Sequence, residues 1–186
     1  MYSLRLATRA DVPSLSALLA ESVRRLSAGY YADDVADAAL RDLLSVDTQL
    51  IDDGTYYAIE DAGRLVASGG WSGRRTLFGG DQHKEAVDSR LDPAREPARI
   101  RAFYVHPAHA RRGLGRMLYE HCAAAARAAG FRRLALVATL PGEPRYRALG
   151  FTAMEEVVVP LSGGLEMRGW RMGRELEWPT RSGSGA

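Results

Sequence analysis

An apolar run, an Arg- and Gly-rich loop and an Ala-rich segment follow one another between residues 100 and 130 of this chain. Residues 100–105 have the apolar character of a buried strand, and residues 113–129 place Leu114, Leu118 and Cys122 on one helical stripe. Residues 134–138 are a second buried strand. A strand, a helix and a strand in this order form a right-handed crossover between parallel strands. The segment therefore predicts a mixed α/β fold built around one parallel pair.

The loop between the first of these strands and the helix has the features of an anion cradle. Gly113 and Gly115 lack the Cβ atoms that would hold an anion away from the backbone, and the first N–H groups of a helix are unpaired. Arg111, Arg112 and Arg116 add positive charge. Neither the Lys-Ser/Thr of a P-loop nor the third glycine of a dinucleotide fingerprint follows. Taken alone, the string is equally compatible with a plain surface loop.

Further strands and helices are predicted on both sides of this unit. A helix begins near Val12 with apolar residues at helical spacing, and others are predicted at residues 33–44 and 143–149. Strands are predicted at residues 3–8, 55–60, 65–71, 151–160 and 166–176. Residues 72–99 are polar, and their apolar residues follow neither the helical nor the strand repeat. This predicts a long loop that covers a site or is disordered. The element order is β-α-α-β-β-β-α-β-α-β-β.

Composition narrows the class of protein. The 186 residues, 46% of them hydrophobic, suit one domain, and the net charge of +2 does not favour nucleic acid as a partner. The single cysteine, Cys122, excludes an intramolecular disulfide and fits a reducing compartment. Residues 1–9 contain no apolar signal segment, and no run of about 18 apolar residues occurs. We expect a cytoplasmic protein with no membrane partner. The four histidines show no ligand pattern, so no metal is expected.

Three motifs occur in order along the chain. Residues 103–107 are a strand that ends in Val-x-Pro, residues 111–116 are the Arg/Gly-rich loop, and residues 146–151 read Tyr-x-x-x-Gly-Phe. Together they resemble the GNAT superfamily of acyl-CoA-dependent N-acetyltransferases. The resemblance implies one α/β (α+β) domain over residues 1–176, with a flexible tail at 177–186. Its implied core is a twisted, mixed, mostly antiparallel sheet of about seven strands, with helices on both faces and splayed, parallel fourth and fifth strands.

The resemblance also implies acetyl-CoA as the cosubstrate. The loop would bind its pyrophosphate, the fourth strand would pair with the pantetheine arm, and an N–H near Val105 would face the thioester oxygen. Thr139 stands where the family often has Asn, and Ala110 where it often has Arg or Gln. The cofactor-binding residues expected on this basis are Phe103, Tyr104, Val105, Arg111, Arg112, Gly113, Leu114, Gly115, Arg116, Thr139 and Tyr146.

Tyr146 is the catalytic residue that the resemblance implies. Its phenol would protonate the leaving thiolate, and the alternative is a tyrosine that only packs against the coenzyme. The family often has a carboxylate base at the start of the fourth strand, and Arg99 occupies that place. The group that takes the proton of the incoming amine is therefore either a chain of water molecules or a side chain. The candidate side chains are Glu60, Asp81, His83, Glu155 and Glu156.

The acceptor site implied by the resemblance lies opposite the cofactor. Its candidate lining is aromatic and cationic, namely Tyr30, Tyr31, Trp71, Arg74 and Arg101. This mixture suits a small primary amine that carries a carboxylate, while ordinary packing and solvated charge explain the same residues equally well. We expect direct attack of the amine on acetyl-CoA. Acetylation of a protein, peptide or aminoacyl-tRNA and a non-catalytic acyl-CoA sensor remain alternatives, and a homodimer is left open.

Overall fold

A seven-stranded sheet forms the centre of the protein in a computed structural model that describes residues 1–83 and 88–177. The strands lie in the order β1-β2-β3-β4-β5-β7-β6, and only β4 and β5 are parallel neighbours. The predicted mixed, mostly antiparallel sheet is confirmed. The strands are β1 (Tyr2–Leu6), β2 (Tyr56–Asp61), β3 (Arg64–Ser72), β4 (Ala98–Val105), β5 (Arg133–Thr139), β6 (Thr152–Pro160) and β7 (Glu166–Glu175). Apart from Glu177, the predicted tail lies outside the described residues.

Helices cover both faces of the sheet, as predicted. On one face, α4 buries Leu118 and Cys122 completely against β3 and β4, and burial raises the pKa of the Cys122 thiol. On the other face, α1 packs Leu19 and Val23 against Ala36 of α2 and against β4. The helices are α1 (Val12–Leu26), α2 (Asp33–Asp42), α3 (Thr48–Asp52), α4 (Leu114–Ala128) and α5 (Glu143–Ala148). None of the helices in the described ranges is long and apolar enough to cross a membrane.

The helical region between α1 and β2 differs from the prediction. The second helix ends at Asp42 rather than at residue 44, and the short helix α3 follows it. Asp47 caps α3 by accepting a hydrogen bond from the Gln49 N–H at 3.1 Å. Five residues are too few to show a helical period, so α3 was not predicted.

The parallel strands β4 and β5 separate along their length, as predicted. They pair only at Ala98 with Leu134 and at Arg99 with Ala135. Beyond Arg99, a bulge at Ala102, whose φ is +56°, bends β4 and shifts its register against β3. Gly69 makes room for the bulge, because a Cβ at this position would lie 2.3 Å from the Phe103 ring. The result is a gap between the carboxyl ends of the two strands.

The long loop between β3 and β4 is confirmed in the parts that the structure describes, namely residues 73–83 and 88–97. Its two arms pair with each other where the Arg75 N–H donates to the Ser89 carbonyl at 3.0 Å. Leu91 anchors one arm in the core beside α4. Phe78 of the other arm packs against the apolar cluster between α2, β6 and β7. The loop therefore contacts the apolar clusters on both sides of the sheet.

Candidate active site

The gap between β4 and β5 is part of a cavity of about 710 Å³. It runs from the start of α4, past α5, to the underside of the long loop. Its lining comprises residues 100–105 of β4, residues 109–111 and 113–116 before and in α4, and residues 137, 139, 141, 142, 144–146, 149 and 167 around β5, α5 and β7. Residues 22, 23, 26, 27, 30, 44 and 45 from the α1–α3 region and 77–79 of the loop complete it.

Unpaired backbone N–H groups form one end of the cavity. Gly113 caps α4 with a φ of +84°, and the first helical hydrogen bond runs from the Met117 N–H to the Gly113 carbonyl at 3.0 Å. No side chain caps this helix end in the described structure. The N–H groups of Leu114, Gly115 and Arg116 therefore have no acceptor within the helix, and the helix dipole adds positive potential. This end of the cavity is suited to a phosphate group.

Arginine side chains reinforce the positive charge at this end. Arg111, Arg116 and Arg145 line the cavity, and Arg145 lies so close to Gly115 that a Cβ there would be 3.2 Å from it. Arg112 is exposed and does not line the cavity.

Tyr146 lies at the middle of the cavity, on α5. Its side chain is 8% exposed and is held between the rings of Phe103 and Phe151, at centroid distances of 6.3 and 5.7 Å. Burial raises the pKa of Tyr146 above its ordinary value. The hydroxyl is therefore protonated at neutral pH and can donate a proton into the cavity. Thr139, at the end of β5, lines the same region.

A backbone N–H of β4 faces the cavity opposite the paired edge of that strand. The His106 N–H donates to the Val66 carbonyl of β3 at 2.8 Å, so the alternation of a strand turns the Val105 N–H the other way. There it donates to the Ser22 hydroxyl of α1 at 3.4 Å. Ser22 was not predicted from the sequence. It was detectable as a polar residue in the apolar stripe of α1, beside Leu19 and Val23.

A buried ion pair closes the other end of the cavity. Arg101 and Asp47 are 3% and 1% exposed, and the guanidinium Nη2 lies 2.8 Å from the carboxylate. Arg101 also donates to the carbonyls of Thr76 and Gly79, which fixes the long loop above the cavity. Burial lowers the pKa of Arg101 and Asp47 opposes that shift. Asp47 was not predicted, because nothing local marks its partner 54 positions away.

Comparison with known proteins identifies the family. The family model described as Acetyltransferase (GNAT) family matches residues 20–151. The chain belongs to the GNAT family. The family predicted from the three motifs is confirmed, and with it the class of acetyltransferase. No curated protein matches the sequence.

Solved GNAT structures share the fold at low sequence identity. A GCN5-related N-acetyltransferase from Rhodopseudomonas palustris has a TM-score of 0.69 and 18% identity over 94% of this chain and 95% of its own. YncA from Salmonella typhimurium, with its cofactor acetyl-CoA, has a TM-score of 0.62 and 19% identity over 100% of this chain and 99% of its own. A phosphinothricin acetyltransferase from Sinorhizobium meliloti, in complex with acetyl-CoA, has a TM-score of 0.62 and 23% identity over 97% of this chain and 94% of its own.

The GNAT cavity contains two of the five side chains that were predicted to bind the acceptor. Tyr30 is half exposed at its rim, and Arg101 lies inside it but is occupied by Asp47. Tyr31 instead accepts a hydrogen bond from the Leu140 N–H at 2.8 Å and donates to the Arg168 carbonyl, outside the cavity lining.

Trp71 and Arg74 lie away from the cavity for separate physical reasons. Trp71 pairs with Ile100 across the sheet and packs against Phe131 in the core beside α4. Arg74 follows β3 and forms an ion pair with Asp53 at 2.6 Å. Neither lines the cavity. Tyr31, Trp71 and Arg74 are thus not among the residues that line this GNAT cavity.

None of the candidate bases lines the cavity of this GNAT chain. Three of them form ion pairs with arginines, namely Glu60 with Arg5 at 2.6 Å, Glu155 with Arg171 at 2.9 Å and Glu156 with Arg168 at 3.3 Å. The other two lie at the surface, where Asp81 accepts from Thr48 and His83 stacks on Phe78. Among the described residues, no carboxylate lines the cavity, and the histidine that lines it is His109. The same residues contain no group of three potential metal ligands.

Proposed function

We propose that this chain transfers the acetyl group of acetyl-CoA to the primary amine of a small molecule, with Tyr146 as the general acid. The observation that carries the proposal is one continuous cavity. It joins the N–H groups at the start of α4, the free edge of β4 and the phenol of Tyr146. Release of free thiol from acetyl-CoA, measured over a panel of amines, tests the proposal. Release that is the same with and without every amine would oppose it.

The cradle at α4 fits the pyrophosphate of acetyl-CoA. Gly113 has no Cβ to fill the space, the N–H groups of the first turn are free within the helix, and Arg111, Arg116 and Arg145 supply positive charge. No carboxylate among the described residues lines the cavity to repel the phosphates. The grip relies mainly on the backbone, because the arginine heads are partly solvated.

The free edge of β4 fits the pantetheine arm. Beyond Arg99, the edge has no register partner on β5, and the N–H groups of Phe103 and Val105 share that edge because they are two residues apart. Such an edge binds an extended ligand through its backbone, as an added strand does. Thr139, across the gap, offers a hydroxyl. Acetyl-CoA supplies the activated acetyl group to this edge.

Replacing Gly113 by valine tests the cradle. We expect Gly113→Val to weaken acetyl-CoA binding about tenfold or more, because a side chain then fills the phosphate site. Calorimetric titration of acetyl-CoA measures the change. The matched control is Gly130→Val at the opposite end of α4, where φ is +92° and the strain is similar. Equal affinities for the two variants would oppose the assignment.

The residues around Tyr146 suit the chemistry of direct attack. The Val105 N–H, beside the Ser22 hydroxyl, can stabilise the charge that develops on the thioester oxygen as the amine attacks. The bond from carbon to sulfur then breaks, and the thiolate takes the phenolic proton of Tyr146. The attacking nitrogen loses its proton to water, since no carboxylate among the described residues lines the cavity.

This lack of a carboxylate base predicts a simple pH profile. We expect kcat/KM to rise with pH as the free amine forms and to follow the amine pKa from one acceptor to another. Tyr146 acts in its protonated form, and burial raises its pKa above the ordinary tyrosine value, so the loss of activity from its deprotonation lies at higher pH than for a free phenol. His109→Gln should leave the rising limb in place. A rising limb that is independent of the amine would contradict the water route.

The acceptor end of the cavity favours a small molecule. Its walls are apolar side chains from α1, the segment after α2, the long loop and β7, namely Leu26, Leu44, Leu77, Phe78 and Met167. Phe78 is packed into the cluster between α2 and the β6–β7 hairpin, and Arg101 holds the loop down. This cover narrows the space beside Tyr146. It leaves room for a compact amine rather than for a folded protein.

A further inference from the structure

Two arginines near the acceptor end carry buried N–H groups that have no hydrogen-bond partner in the described structure. They are Nε and Nη1 of Arg99, at the start of β4, and Nε of Arg171, on β7. Arg99 is half-buried, and the Arg171 side chain is 40% exposed. Buried donors are almost always satisfied in native proteins by protein, water or a bound ligand. These N–H groups therefore form a candidate binding site.

Strand alternation places both arginines beside the cavity. Ile100 packs into the core next to α4, so Arg99 and Arg101 project from the opposite face of β4. On β5, Leu136 belongs to that same core, so Val137 projects to the opposite face, and its register partner on β7 is Arg171. Arg101 and Val137 both line the cavity. Arg99 is thus two positions before the lining residue Arg101 on the same face of β4. Arg171 lies on β7, directly across from the lining residue Val137 of β5.

Arg99 differs from the arginines around it in having no carboxylate partner within residues 1–83 and 88–177. Arg101 is paired with Asp47, Arg171 Nη1 with Glu155 at 2.9 Å, and Arg75 with Glu96 at 3.5 Å. Burial and the nearby Arg171 lower the pKa of Arg99, while Glu96 opposes that shift. A carboxylate of a ligand would give Arg99 an ion-pair partner.

We propose that Arg99 and Arg171 bind a carboxylate of the acceptor, which makes the substrate a small amino acid or a similar amino carboxylate. The inference rests on the proposed acetyl transfer. Nε and Nη1 lie on opposite edges of a guanidinium, so the carboxylate accepts from one N–H of Arg99 and from Nε of Arg171 in charge-assisted hydrogen bonds. The residue at the place of the family's usual base then serves substrate recognition, and the amine group is left to reach toward Tyr146.

Binding of a carboxylate that lacks an amine tests the site without turnover. We expect protein saturated with CoA to bind N-acetylglycine and to bind its carboxamide about 10 to 100 times more weakly. Arg99→Gln should remove this preference, Arg171→Gln should reduce it, and Arg99→Lys should retain part of it. Arg168→Gln is the matched control, since Arg168 is on the same strand but pairs with Glu156 at the surface. Thermal melts report whether each variant is folded.

The outcomes separate this inference from the proposed function. Equal binding of the acid and the amide, an unchanged preference in Arg99→Gln, or stronger binding of inorganic phosphate than of N-acetylglycine would overturn the carboxylate site. In kinetics, Arg99→Gln should raise KM for amino carboxylates about tenfold or more, with a smaller effect on kcat. Turnover of amino carboxylates with the same KM in wild type and Arg99→Gln would overturn this inference and leave acetyl transfer intact. Binding of N-acetylglycine with no transfer to any amine would overturn the proposed function alone.

Discussion

Tyr146→Phe is expected to lower the rate of acetyl transfer by about 10²- to 10⁴-fold, the usual contribution of a positioned general acid. The phenol is the buried, protonated group in the middle of the cavity, and its loss leaves the thiolate without a protein donor. Acetyl-CoA binding should change little, because the cradle at α4 is untouched. Thiol release under saturating acetyl-CoA measures the rate, and calorimetry measures the binding.

Tyr119→Phe is the matched control for this substitution. Tyr119 packs against the same Phe151 ring, at a centroid distance of 5.8 Å, but does not line the cavity. Its variant should keep full activity. Full turnover in Tyr146→Phe, with chemistry rate-limiting, would show that Tyr146 only packs in the cavity. Acetyl-CoA binding by the wild type without transfer to any amine would instead support a sensor.

Arg101→Met is expected to lower the free energy of unfolding by about 3–5 kcal/mol. The substitution removes the guanidinium partner of the buried Asp47 carboxylate and frees the carbonyls of Thr76 and Gly79. The long loop then loses its attachment above the cavity. Urea unfolding, followed by circular dichroism, measures the change, and acceptor KM should rise in the fraction that folds.

Two comparisons make the stability prediction specific. Arg9→Met removes an ion pair with Asp52 whose side chains are 61% and 45% exposed, so it should lower the free energy of unfolding far less than Arg101→Met does. The double variant Asp47→Leu with Arg101→Met should recover part of the loss, because no buried charge remains. A cost for Arg101→Met similar to that of Arg9→Met would contradict the role of the buried pair.

Most of the strands and helices followed from local patterns that are long enough to show a period. The strand, loop, helix and strand between residues 100 and 138 predicted the parallel pair, and the family resemblance implied the mostly antiparallel sheet around it. The short helix α3 was missed, because five residues capped by Asp47 carry no periodic signal. The bulge at Ala102 was missed as well, because it depends on Gly69 in another strand.

The donor end of the site was predictable for the same reason. Its cradle is one contiguous loop at one helix start, so local sequence carries its geometry. The acceptor end depends on which strand face a side chain occupies and on distant partners. Trp71 packs on the opposite face of the sheet, Arg74 forms an ion pair with Asp53, and Arg101 forms one with Asp47. The aromatic or cationic character of a residue does not by itself predict which of these contacts it makes.

A structure of the chain with CoA bound tests the central claim most directly. We predict the pyrophosphate against the N–H groups of Leu114, Gly115 and Arg116, and the thiol within hydrogen-bond reach of the Tyr146 hydroxyl. The pantetheine arm should lie along the β4 edge beyond Arg99. CoA bound outside the gap between β4 and β5, or bound there with its thiol far from Tyr146, would contradict the account.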